Sequence, residues 1–215
     1  MNHRKLFLCL AVLFQLAAGV AVVSGTPVVV FSNYGPGDTF DTTFGWGING
    51  SAIQPYGYRG QAQRFTPSIT VDLSSIELSL WRYAGSGRSN ISLAEDSGGY
   101  PTGSVLESFP NVLASAHRVL TSVTHPLLEA GVTYWLRAEP YDSTTSSGWY
   151  GNNQGAATTF GYSFSPGVWQ IMPPPAPEDG VFRVLAEPVP EPGTWVLMAV
   201  GVGLWNVRTR VKVKA

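Results

Sequence analysis

The chain has 215 residues, 44% of them hydrophobic and 12% aromatic, with 24 glycines, 16 prolines and a formal net charge of −1. All three lysines, Lys5, Lys212 and Lys214, lie at the ends, so the stretch from Thr26 to Val189 carries seven arginines against thirteen acids, a net charge of −6. An acidic, lysine-free body excludes nucleic acid and anionic lipid as partners, since both need a basic footprint. The single cysteine, Cys9, falls within the first 25 residues and leaves the rest without a thiol for a disulfide, a metal or a nucleophile.

Residues 1–25 read as a secretory signal peptide. Arg4 and Lys5 precede an apolar stretch from Leu6 to Ala18 and onward to Val23, broken by Gln15 and Gly19. Cleavage after Ala21 or after Gly25 satisfies the small-residue rule equally. An uncleaved membrane helix is the alternative, but Gly25, Pro27 and the strand-like run that begins at once favour removal. Export through the Sec machinery follows.

Residues 26–187 are long enough for one domain with its own core. Their Gly, Ser, Thr and Pro content with frequent aromatics is the vocabulary of strands separated by turns. Predicted strands in chain order are Val28–Phe31, Gly60–Phe65, Ser75–Tyr83, Asn90–Ala94, Val105–Phe109, Arg118–Val123, Thr133–Ala138, Val168–Met172 and Val181–Leu185. Turn chemistry separates them at Gly85-Ser86-Gly87, Asp96 to Pro101, Glu129-Ala130-Gly131 and Asn152 to Gly155. No segment keeps a helical period. The expected fold is all-β: a single antiparallel β-sandwich of jelly-roll type, flanked by the signal peptide and a short C-terminal transmembrane helix.

Alternation assigns faces. In Ser75–Tyr83, Ile76, Leu78 and Leu80 form the core set and Trp81 points outward; in Val132–Ala138, the inward set is Val132, Tyr134, Leu136 and Ala138, with Trp135 outward. Trp81, Trp135, Trp149 and Tyr150 are therefore candidate glycan contacts, and Tyr83, Tyr141 and Trp169 with the nearby Asn152, Asn153 and Gln154 extend the set. Packing in the core or under loops is the alternative fate of such rings.

Catalytic signatures are missing from this stretch. His117 and His125 are eight residues apart and form no metal pair, no Gly-x-Ser-x-Gly elbow occurs, and Glu77, Glu95, Asp96, Glu107 and Glu129 read as solvated charges or turn caps. Asp96 in its glycine-rich turn reads as an Asx turn, because the spaced acids of a calcium loop are absent. No enzyme activity, cofactor or metal is expected.

Residues 188–215 have three parts. Pro190-Glu191-Pro192 is a stiff joint; an apolar run of 14 residues from Thr194 to Val207 follows; Arg208, Arg210, Lys212 and Lys214 close the chain. As a helix rising about 1.5 Å per residue the run would span roughly 21 Å, against about 30 Å of hydrocarbon. Trp195 and Trp205 stand near its ends, where rings favour the interface. This order of parts resembles the PEP-CTERM sorting signal, with one departure: the basic residues alternate with Val207, Thr209, Val211 and Val213 rather than clustering. The resemblance implies recognition by exosortase in the inner membrane of a Gram-negative bacterium that makes exopolysaccharide, then processing and delivery to the cell surface. Ile76-Glu77-Leu78, Ile91-Ser92-Leu93, Asp96, Gly99-Tyr100-Pro101, Leu128 to Leu136 and Phe182-Arg183-Val184 together resemble the choice-of-anchor ectodomains of R type. That likeness implies a β-rich displayed domain and is silent on its ligand. The expected function is thus a surface-displayed protein associated with the matrix or exopolysaccharide, with a carbohydrate-binding module as the alternative.

Overall fold

The computed structural model describes residues 27–155, 159–172 and 179–187; the signal peptide, the sorting motif Pro190, Glu191 and Pro192, the ring pair Trp195 and Trp205, and the basic stop Arg208, Arg210, Lys212 and Lys214 lie outside them. The described residues form fourteen strands, all paired antiparallel, and one 3-10 turn at Pro36–Asp38.

In chain order the strands are β1 (Val28–Ser32), β2 (Asp41–Asn49), β3 (Gly60–Phe65), β4 (Val71–Leu78), β5 (Leu80–Ala84), β6 (Arg88–Glu95), β7 (Val105–Leu113), β8 (Arg118–Thr121), β9 (Leu127–Leu128), β10 (Tyr134–Pro140), β11 (Ser146–Gly151), β12 (Phe160–Ser165), β13 (Val168–Met172) and β14 (Phe182–Ala186). They make three sheets. One runs β1-β14-β4-β8 with β9 also on β4, one runs β13-β12-β3-β10-β6-β7, and the smallest runs β2-β11-β5.

The core is what period-two alternation predicts where a strand has one face inward. Leu73, Ile76 and Leu78 of β4 and Phe182 and Val184 of β14 meet Ile91 and Leu93 of β6 and Tyr134, Leu136 and Ala138 of β10. Ile48 of β2, Leu80 of β5 and Trp149 of β11 close the same cluster from the third sheet. The fully buried aliphatic side chains here each contribute about 1.5–3 kcal/mol relative to exposure.

Two expectations change. The run Ser75–Tyr83 is not one strand: it breaks at Ser79, and its halves belong to different sheets. Ser79 is fully buried, its Oγ accepts the His117 amide at 3.0 Å and lies 3.0 Å from the Tyr34 hydroxyl, and its carbonyl accepts the Tyr150 amide. A polar kink satisfied on every side explains how the chain crosses between layers without losing the inward set. Val132, placed inward by alternation, is 41% exposed, because the turn at Glu129 to Gly131 delays the start of β10 to Tyr134. That turn is closed by Val132 donating to the Glu129 carbonyl, with Gly131 at φ +76°.

Candidate functional site

The three-stranded sheet carries the site, and its cause is a shortage of side chains. On the face turned away from the core, Gly148 of β11 stands opposite both Gly47 of β2 and Trp81 of β5, and Tyr150 stands opposite Gly45. A Cβ on Gly148 or on Gly45 would overlap the Trp81 indole. The ring therefore lies against glycine backbone on one side, in the way that missing Cβ atoms permit close approach. Tyr150 tilts against it at 4.9 Å between ring centres.

A bulge supplies the wall. Tyr150 pairs with Gly45 but its neighbour Gly151 pairs with Asp41, so Thr42, Thr43 and Phe44 are extra residues on β2 that project from the ladder. Asp41 holds them. Its Oδ1 accepts the Thr43 amide at 2.6 Å, the Thr43 hydroxyl at 2.7 Å and the Phe44 amide at 3.2 Å. The Thr43 hydroxyl, first, and these amides keep the Asp41 carboxyl below its ordinary range. The result is a cleft of about 300 Å³ lined by Thr42, Thr43, Phe44, Gly45, Trp81 and Tyr150. Its lining of rings and hydroxyls is that of small-ligand sites, which mix apolar faces with a few placed polar groups.

The aromatic row continues from Tyr150 to Phe40 at 5.1 Å, from Phe40 to His117 at 5.3 Å, and from His117 to Tyr34, stacked at 5.4 Å. Its far end is charged but self-compensated. Arg183 lies over the Tyr34 ring at 4.7 Å, bonds Asp38 at 2.7 Å and faces Glu77 at 3.2 Å as an ion pair; Glu77 also meets His117 Nδ1 at 2.7 Å. Burial pushes the Tyr34 hydroxyl up to about 12, so it stays neutral. Asn153 donates to Thr39 on this side, whereas Asn152 is buried and donates to the Asp179 carbonyl.

Of the four candidate glycan rings, the structure brings Trp81 and Tyr150 together and withdraws the other two. Trp149 is 0% exposed: it points into the core, donates from Nε1 to the Val181 carbonyl at 2.8 Å and lies against Gly180, where a Cβ would touch the ring at 2.8 Å. Trp135 is on the outward face of its strand, as alternation requires, yet is also 0% exposed. Trp169, Ala62 and Ile171 cover it as a second small core, and its Nε1 donates to Asp96 at 2.7 Å. Trp169 is buried with it, while Tyr83 and Tyr141 are exposed away from the cleft lining. Thr42, Thr43, Phe44 and the glycine floor had no signal in the sequence except the Gly45-Trp46-Gly47 and Gly148 spacing, which acquires meaning only once β2, β11 and β5 are neighbours.

The acids divide similarly. Asp96 accepts the Gly99 amide at 2.9 Å, the expected Asx turn, and adds the Trp135 contact. Glu107, expected in solvent, is 5% exposed and accepts from the Ser122 and Thr124 hydroxyls and the Val123 and Thr124 amides. Among the described residues no group of three His, Cys, Asp or Glu side chains is placed to hold a metal ion. The chain matches no protein-family model, no curated protein and no solved structure.

Proposed function

We propose that this chain is an exported protein displayed at the surface of a Gram-negative cell, carried out by the signal at residues 1–25, sorted by an exosortase-type enzyme through residues 188–215, and binding polysaccharide through its β-domain. The tails support the first two parts by the order of their charged, apolar and proline segments. The three antiparallel sheets around one core, with first and last strands paired, support a jelly-roll-like sandwich as the displayed body. The observation that carries the binding reading is the Trp81 ring, backed by Gly148 and Gly45 and lining a cleft together with Thr42, Thr43 and Tyr150. A pyranose offers an apolar C–H face and equatorial hydroxyls, which match a rigid ring beside short polar side chains.

The test has two separable readouts. The full chain in detergent should be retarded in gels containing neutral bacterial polysaccharides, and Trp81→Ala should weaken retention by about tenfold or more, as truncation of a central aromatic anchor does. No retention by any polysaccharide would sink the binding reading alone. Replacing Glu191 with Ala should abolish surface exposure of the β-domain while leaving it folded; unchanged display would remove the sorting reading.

A further inference from the structure

A second aromatic site stands apart from the Trp81 cleft, where the loop between β2 and β3 meets the end of β12. Arg59 places its guanidinium carbon 4.8 Å from the centre of the Tyr56 ring and 5.7 Å from that of Phe164. Both rings are largely in solvent, Tyr56 at 56% and Phe164 at 55% exposed. Tyr162 props Phe164 edge-on at 5.3 Å. Large rings this open are held here by a cation rather than by a core.

The Arg59 charge, like most arginine charges of this body, has no acid paired with it among the described residues. In a body where acids outnumber arginines nearly two to one, Arg183 bonds Asp38 and Glu77, Arg137 bonds Ser92 and the Pro101 carbonyl, Arg88 bonds Asn111, and Arg82 bonds the Gly85 carbonyl. Among the described residues Arg59 has no carboxylate within 4 Å, and its Nε is buried without a hydrogen-bond partner. Its backbone exchanges both amide hydrogen bonds with Asn49, which fixes where the side chain leaves the chain, and the Tyr56 and Phe164 rings are its recorded contacts. A nearby acid, Glu139, is engaged by the Tyr58 hydroxyl at 2.7 Å. A guanidinium set over two exposed ring faces is placed to meet a planar anion beside an apolar surface.

We infer that Tyr56, Arg59 and Phe164 form a binding site for an acidic saccharide unit, its anionic group on the Arg59 guanidinium and its ring against Tyr56 or Phe164. The chemistry recognised is an anion borne on a sugar, either a uronate carboxylate or a sulfate ester. The site goes beyond the Trp81 cleft and stands even where that cleft binds nothing neutral.

Titration calorimetry on the full chain in detergent tests it, with oligogalacturonate as the carboxylate probe, a sulfated oligosaccharide as the sulfate probe and a neutral oligoglucan as control. Binding of either acidic probe is expected, weakened about tenfold or more by Arg59→Gln and by Phe164→Ala and falling as sodium chloride rises. The neutral oligoglucan, which lacks the anion, separates this site from the cleft: its binding does not change in Arg59→Gln. Because the Arg59 side chain takes no part in the β-ladder, Arg59→Gln keeps the fold, and an unchanged melting temperature confirms it. Failure of both acidic probes to bind, or equal binding by wild type and Arg59→Gln, overturns the proposal.

Discussion

Glu107 shows how a single residue's role depends on what is folded over it. Its burial pushes the carboxyl pKa up, but the Ser122 and Thr124 hydroxyls and the Val123 and Thr124 amides outweigh that and hold it below its ordinary range. The folded carboxyl thus ionises at lower pH than the unfolded one, so its stabilisation is fully present above the unfolded value, about 4.3, and is lost as pH falls through the folded value. In Glu107→Gln one face of the side chain becomes a donor and must confront a backbone amide. Thermal and urea unfolding should show a loss of about 1–3 kcal/mol near neutral pH, shrinking as pH falls below the unfolded value and the wild-type carboxyl protonates; a difference that does not vary with pH would contradict this account. Gly148→Ala is a second case at this scale. The new Cβ must displace the Trp81 indole, so polysaccharide retention should fall as far as in Trp81→Ala while tryptophan fluorescence reports a shifted ring; retained binding would mean the platform is not needed.

At the scale of elements, the strands anchored by aliphatic alternation were legible and the glycine- and serine-rich ones were not. β6, β10 and β14 alternate Ile91 and Leu93, Tyr134 and Leu136, and Phe182 and Val184 inward and form close to where they are read, and β4 keeps Ile76 and Leu78 inward although the run read with it ends at Ser79. β2 and β11, DTTFGWGIN and SSGWYG, offer few aliphatic residues and owe their extended state to each other's ladder, a pairing between segments about a hundred residues apart. Propensity is weak where non-local pairing decides. The joint between β1 and β14 is similar: the Asn33 side chain donates to the Gly180 carbonyl at 2.9 Å and accepts the Phe182 amide at 2.7 Å, closing the entry to β14 across 149 residues. Asn33→Ala leaves both groups short of a partner. A loss of about 1–3 kcal/mol is expected, with hydrogen exchange at Phe182 accelerating before that at Leu136; uniform exchange across both strands would argue against a local clamp.

For the whole molecule the distribution of lysine makes processing measurable. The proposed removal of residues 1–25 and 188–215 would take away Lys5, Lys212 and Lys214 and leave a chain whose only primary amine is its N-terminus. Surface-released protein treated with an amine-reactive reagent should therefore gain a single label by intact mass. A form that gains labels on Lys212 and Lys214 still carries its tail, and that outcome contradicts processing.

What the sequence by itself determined is whatever depends on neighbours in the chain: the charge partition, the turns at Gly85 to Gly87 and Glu129 to Gly131, and which residues of β4 and β10 face inward. What only the tertiary structure decided is which outward aromatic meets solvent. Trp81 and Trp135 have the same local pattern, each alternating away from the core. One is laid on Gly148, 67 positions along, and lines a cleft; the other is capped by Trp169 from the far edge of its sheet and bonded to Asp96. Alternation sets the face of a strand, but exposure of that face depends on what a distant strand lays over it, and no local period carries that information.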